Sequence, residues 1–319
     1  MLAVFINHPV NQFFVAIAAA FALVWVLIKA CARFLPRDAG REFAHNGAIS
    51  AGKPRGAGII FVLSFAAVVL LVLPFSLENV IYLVLLIAAM MTGYLDDGAK
   101  TPWGEYKKGL LDLVIAVLVA VTYLNFQTSE INLEILNTSI VIPPVVFGVL
   151  TVILVWVSIN VTNCTDGVDG LSASVSIVTL GSMFAIMLIR DTSADFRGLV
   201  PVFIACLTAY LWYNASPSKL MMGDAGSRAM GLFIAITALK TGCPLMYILT
   251  AVVLILDGGL GLVKVSLLRF LKIRIMKNIR TPLHDHVRKN KGWSDTQTVM
   301  RFTILQLAAC MLAIYFVLV

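Results

Sequence analysis

Residues 145–189 read "VVFGVLTVILVWVSINVTNCTDGVDGLSASVSIVTLGSMFAIMLI". Two apolar runs are joined by "NCTDGVDG", which carries Asn163, Asp166 and Asp169. A helix crossing a hydrocarbon core about 30 Å thick needs ~20 apolar residues. A barrel strand would be shorter and would alternate. The stretch therefore predicts two membrane helices joined by a polar, acidic turn.

The same pattern continues in both directions. Apolar runs near 11–33, 57–75, 79–95, 109–125, 143–161, 169–189, 198–213, 227–240, 244–263 and 299–318 predict an all-α integral membrane protein of about ten spans. Composition agrees, because 60% of the 319 residues are hydrophobic and only 13% are charged. Soluble domains carry about a quarter charged residues. Within "QTSEINLEILNTSIVIPP", polar and apolar residues alternate, so a small hairpin is expected over 126–141. Cysteines 31, 164, 206, 243 and 310 form no CxxC pair and read as small buried hydrophobes. The N-terminus lacks the charged region and small-residue cleavage site of a signal peptide, so the first run is expected to remain as a span.

Basic residues fix the expected orientation. The odd-numbered loops hold Arg37, Arg41, Lys53, Arg55, Lys100, Lys107, Lys108, Lys219 and most of "KIRIMKNIRTPLHDHVRKNK". The even loops hold only Arg190, Arg197 and Lys240. Positive loops stay in the cytoplasm, so both termini are expected outside. The net charge of +7 is then mostly cytoplasmic. Residues 269–280 read as a basic amphipathic stretch lying along the interface.

The acids near span ends gather on that same face. "GYLDDGAK" gives Asp96 and Asp97, "NCTDGVDG" gives Asp166 and Asp169, and "KLMMGDAGS" gives Asp224. A helix cap alone would account for Asp224. It accounts poorly for Asp96 and Asp97, which end a helix where the dipole repels anions. Hard oxygen donors without clustered Cys or His favour Mg²⁺ or Mn²⁺ over zinc. "SAGKPRGAG" adds Lys53, Arg55 and glycines that let a phosphate approach the backbone. Carboxylates, lysines and glycines on one face predict a Mg²⁺–diphosphate site. His8 and His45 read as surface residues. His284 and His286, in "HDH" among Arg288, Lys289 and Lys291, are expected at a phosphate or sugar-phosphate. The basic stretch 281–293 is expected to be an exposed surface ending in Trp293.

A secondary transporter would also show about ten spans and buried acids, but near the bilayer midplane. Asp112 and Asp257 lie within spans and keep that alternative open. A purely structural scaffold leaves the loop acids unexplained.

"GYLDDGAK", "NVTNCTDGVDGLS", "LWYNASPSKLMMGDAGS" and "PLHDHVRKNKGW…RF", in this order, resemble the polyprenyl-phosphate N-acetylhexosamine-1-phosphate transferase superfamily. The resemblance implies one polytopic transferase domain over residues 1–319, acting with Mg²⁺ in the inner membrane of a bacterium. It implies attack by undecaprenyl phosphate on a UDP-N-acetylsugar, with UMP leaving. "CTDG" and the "KGW…RF" tail are nearer the branch that takes UDP-N-acetylmuramoyl-pentapeptide and makes lipid I for peptidoglycan. "GDAGS" and Asp257 also occur in the branch that uses UDP-N-acetylglucosamine. By resemblance, Asp96, Asp97 and Asp166 are catalytic, and Asp224 and Asn163 belong to the metal centre. Lys53, Lys100, Lys108, Asp169, Asn214, Met221, His284 and His286 match substrate-contacting positions. A homodimer is implied, and nucleic acid is not a partner. Two departures stand out. Asp285 replaces the middle member of a triple histidine, and "GKPRGAG" places Lys53 and Arg55 where threonines are usual.

Overall fold

The computed structural model describes residues 9–38, 40, 50–74, 76–99, 101, 103–136 and 138–319. Lys100, His8 and His45 lie outside the described residues.

The chain is an all-α membrane protein. Its helices run α1 Pro9–Cys31, α2 Gly58–Val72, α3 Leu77–Asp97, α4 Glu105–Phe126, α5 Pro144–Thr165 and α6 Leu171–Ile189. They continue with α7 Ala194–Arg197, α8 Leu199–Asn214, α9 Gly223–Lys240, α10 Tyr247–Thr250, α11 Val252–Leu254, α12 Leu260–Ser266, α13 Leu283–Lys291 and α14 Asp295–Leu318. The expected hairpin forms between α4 and α5, with β1 Glu130–Leu133 antiparallel to β2 Thr138–Val141. The five cysteines are free thiols.

The expected spans are seen in part. Among the described residues, seven helices are long and apolar enough to cross a membrane, and a bent pair makes an eighth. The α2 helix has only 15 residues. The α9 helix carries Asp224, Arg228 and Lys240 and is buried along its whole length, so protein rather than lipid surrounds it. The expected span at 244–263 is broken. Pro244–Thr250 and Val252–Leu271 meet at 70°, at Ala251 with φ −127°. A break in lipid frees backbone groups that must find partners. Gln306 of α14 supplies them, accepting from Val253 N–H at 2.9 Å and donating to the Thr250 carbonyl at 2.8 Å.

The helices α3 and α9 form the spine that positions the acids. A Cβ on Gly93 would lie 2.3 Å from the Asp224 backbone, and one on Gly58 would lie 2.1 Å from Gly226 N. These glycines let α3 and α2 close on the start of α9 at backbone distance, as small residues do between membrane helices. At the other end, Lys240 of α9 donates to both Glu78 oxygens of α3 at 2.9 Å. Gln127 adds a third hydrogen bond to Glu78 at 2.9 Å. The two helices are thus tied together at both ends.

Candidate active site

The loop before α2 begins the site. Arg55 reaches three carboxylates: its Nε lies 2.8 Å from Asp97 Oδ1, Nη1 3.3 Å from Asp38 Oδ1, and Nη2 3.3 Å from Asp224 Oδ1. Burial opposes the charge on this guanidinium, but Asp97, Asp224, Asp38 and Asp166 outweigh it and hold its pKa above the ordinary value. Lys108, in the first turns of α4, pairs with Asp96 and lies 3.0 Å from Asp224 Oδ2. The carboxylates of Asp96 and Asp224, from two helices, therefore converge on one ammonium.

Asp97 has a different task from its neighbour. Its Oδ1 accepts Asp224 N–H and its Oδ2 accepts Ala225 N–H, both at 3.2 Å. An acid at the C-terminal end of α3 thereby caps the N-terminus of α9, where the helix dipole welcomes negative charge. The capping argument that fails for Asp97 on its own helix holds for a neighbouring one. Asp224 itself sits in the first turn of α9 and does not cap it. Asp96 Oδ1 accepts Trp103 N–H at 2.7 Å.

The turn 163–170 is the hub. Asn163 donates to Ser227 Oγ at 2.9 Å, one turn beyond Asp224. Asp166 closes α5 and acts electrostatically on Arg55. Asp169 accepts Ser218 N–H at 3.0 Å and lies 3.6 Å from Lys53 Nζ. Lys53 also donates to Ser218 Oγ at 3.0 Å. Asn214 accepts Gly170 N–H and donates to the Leu220 carbonyl, both at 2.9 Å, locking this turn to the loop before α9. Met221 pairs by backbone with the basic loop, donating to the Pro54 carbonyl at 2.9 Å and accepting from Ala57 N–H at 3.1 Å.

The third wall comes from α13. His284 donates its backbone N–H to Asp257 Oδ1 at 2.7 Å, and its Nδ1 lies 2.8 Å from Asp257 Oδ2. Its Nε2 faces Gly167, where a Cβ would be 2.3 Å away. Asp257, which looked like a transporter acid, instead holds His284. Asp112 is likewise paired, to Arg228 and to Asn160. His286 is placed differently, accepting Arg280 N–H on Nδ1 at 3.3 Å. The exposed surface expected at 281–293 is confined to residues 290–292, with His284 and Arg288 buried and the rest half-buried. The Arg288 side chain lies 2.8 Å from Asp295 and is bonded to the Gly167 carbonyl at 3.4 Å.

Asp38, Arg55, Asp257 and Arg288 thus join the expected residues. Arg55 had a signal in the sequence, since it stands where the resembled superfamily has threonine. Asp257 was visible as an acid within a span and Arg288 as part of a basic stretch, but their pairing with His284 and with Asp295 was not, and Asp38 gave no signal.

A profile of glycosyl transferase family 4 matches residues 79–242, from α3 to the hairpin-side end of α9. The chain belongs to glycosyl transferase family 4. The matched segment includes Asp96, Asp97, Lys108, the 163–170 hub and Asp224, while Arg55 and His284 fall outside it. A phospho-N-acetylmuramoyl-pentapeptide-transferase of Treponema pallidum (strain Nichols) is 40% identical over 311 residues, covering 92% of this chain and 85% of the relative. The Clostridium botulinum (strain Eklund 17B / Type B) protein of the same name is 30% identical over 82% of this chain and 81% of its own. The one from Corynebacterium jeikeium (strain K411) is 27% identical over 94% and 95%. This family 4 chain is therefore a multi-pass membrane transferase similar along most of its length to these proteins.

Proposed function

We propose that this protein transfers phospho-N-acetylmuramoyl-pentapeptide from UDP to undecaprenyl phosphate in the bacterial inner membrane, giving lipid I and UMP for peptidoglycan. The observation that carries this reading is the convergence of Asp96 and Asp224 on Lys108 beside the 163–170 hub.

In the reaction, an oxygen of the lipid phosphate forms a bond to the β-phosphorus of the donor. The bond from that phosphorus to the bridging oxygen breaks, and UMP carries the electron pair away. Asp96 is proposed to orient the lipid phosphate or take its proton. Lys108 and Lys53 screen the approach of one anion to another. Asp166, Asp169 and Asn214 shape the nucleoside and diphosphate pocket, and Met221 closes its edge. Asp97 is proposed to position Asp224 rather than to react, because its oxygens are taken by α9 amides and Arg55. Asp257 fixes the His284 imidazole with Nε2 towards the hub, ready to meet a phosphate. Lys100 and His286 remain proposed substrate contacts by resemblance. Much of the rate then comes from holding two anions in line.

The site fits Mg²⁺. Asp38, Asp96, Asp97 and Asp224 face Arg55 and Lys108, four carboxylates against two cations, a formal excess of two negative charges. The donors are hard oxygens, and Mg²⁺ uses one or two carboxylates plus phosphate and water. Asp224 is the proposed ligand, with Asn163 held beside it through Ser227. When bound, Mg²⁺ would neutralise charge on the departing UMP phosphate.

A single polytopic domain of ten spans is proposed by adding α2, α9 and the broken helix to the seven long helices. Basic loops favour external termini and a cytoplasmic active site. A homodimer is part of this proposal. An apolar cavity of about 310 Å³ lies between α5 and the broken helix, lined by Phe147, Leu150, Leu154, Leu239, Tyr247 and Ile255. It lies towards the hairpin end of α5 and α9, with Asp166 and Asp224 at the opposite ends of those helices, and is proposed to take only a distal part of a prenyl chain. The transporter reading is not favoured, since Asp112 and Asp257 both have local partners.

The test is UMP release by purified protein given the pentapeptide donor, undecaprenyl phosphate and Mg²⁺. Wild type should release UMP only when all three are present, and Asp224→Asn should not. Equal release by Asp224→Asn at limiting Mg²⁺ would remove Asp224 from the metal site.

A further inference from the structure

Every carboxylate oxygen of Asp96, Asp97 and Asp224 already has a donor. Asp96 takes Trp103 N–H and Lys108. Asp97 takes two α9 amides and Arg55. Asp224 has Arg55 at 3.3 Å on one oxygen and Lys108 at 3.0 Å on the other. The proposed metal ligand is therefore held between two fixed positive charges. Arg55 is planar, permanently charged and matched to phosphate as well as to carboxylate. It is anchored at its far side by Asp38, which Ser50 Oγ holds in turn at 2.7 Å.

We infer that Arg55 and Lys108 act as resident counter-ions that keep the metal from binding tightly until a diphosphate arrives. A divalent cation approaching Asp224 meets two like charges within about 3 Å of its ligand oxygens, where repulsion is strong. A diphosphate gives both cations another anion to pair with. Their move towards it frees Asp224 for the metal, and the metal in turn holds the diphosphate. Metal and donor then bind synergistically, each strengthening the other by one shared factor. The departure from threonine at residue 55 gives this chain a second counter-ion. The inference rests on the reading of Asp224 as the metal ligand.

Binding of Mn²⁺ to detergent-purified full-length protein, followed by electron paramagnetic resonance of the free ion, tests it without turnover. The titration is run alone and with UDP-N-acetylmuramoyl-pentapeptide, without acceptor lipid and corrected for Mn²⁺ bound by the nucleotide in solution. In wild type the donor should tighten Mn²⁺ about tenfold or more, and Mn²⁺ should tighten the donor by the same factor. Arg55→Thr should bind Mn²⁺ more tightly than wild type without donor, and the coupling should shrink. Arg55→Lys keeps the charge but not the three contacts, and without donor it should bind Mn²⁺ more weakly than Arg55→Thr does, which separates charge from folding. Wild-type Mn²⁺ affinity unchanged by donor, or donor-free affinity unchanged in a folded Arg55→Thr protein, would overturn the inference. Absence of Mn²⁺ binding under every condition, or binding that survives Asp224→Asn, would overturn the metal reading instead.

Discussion

Asp97 accepts the backbone N–H of Asp224 at 3.2 Å, so one acid of the site fixes the start of the helix that carries another. The same carboxylate accepts Ala225 N–H and pairs with Arg55. Asp97→Asn keeps the shape but loses the charge on which Arg55 and the α9 dipole rely. It is expected to lower the thermal midpoint and the rate together, with a stability loss of about 3–5 kcal/mol from breaking a buried pair. A variant inactive at an unchanged midpoint would make Asp97 a reacting group rather than a positioning one.

Gly223 has φ +68°, and a Cβ there would lie 2.2 Å from Asp97 Oδ2. Gly223→Ala should cost about 1–3 kcal/mol in backbone strain and also push Asp97 off the helix start. Gly52 is the matched control, with φ +83° and open space around its Cβ. Gly52→Ala should show only the strain. Activity lost equally in both variants would show that the Asp97 contact does not matter.

Among the described residues, Asp96 is bonded to Lys108 and to the Trp103 N–H. Asp96→Asn is expected to abolish turnover while donor affinity, measured by calorimetry, stays within a few-fold of wild type. Collapse of donor affinity with a normal rate at saturation would move Asp96 from the lipid phosphate to the nucleotide.

Gln306 satisfies both sides of the helix break at Ala251. Gln306→Leu leaves a buried N–H and a buried carbonyl without that side chain, at about 1–3 kcal/mol each. A clear fall in thermal midpoint should follow, with residual activity at low temperature. An unchanged midpoint would mean the break is held by other contacts.

Seven helices were legible because their apolar runs match the membrane thickness, and the hairpin because Ile131, Leu133 and Ile140 alternate with polar residues. The acids were legible because they cluster at run ends. The break at Ala251 was not, since alanine carries no signal and the partner Gln306 is 55 positions away. Arg288 read as exposed because its neighbours are basic, but Asp295 and the Gly167 carbonyl draw it inward. The pairing of Arg55 with Asp38, Asp97 and Asp224 needs three segments folded together, which spacing alone does not reveal.

The most direct test of the proposed reaction is the mass of the lipid product. Purified protein, undecaprenyl phosphate and Mg²⁺ are given UDP-N-acetylmuramoyl-pentapeptide and UDP-N-acetylglucosamine in equal amounts, and the extracted lipid is weighed by mass spectrometry. The account predicts the undecaprenyl diphosphate carrying the pentapeptide-bearing sugar, with UMP in equal quantity. A product carrying only N-acetylglucosamine, or no lipid product from either donor, would contradict it.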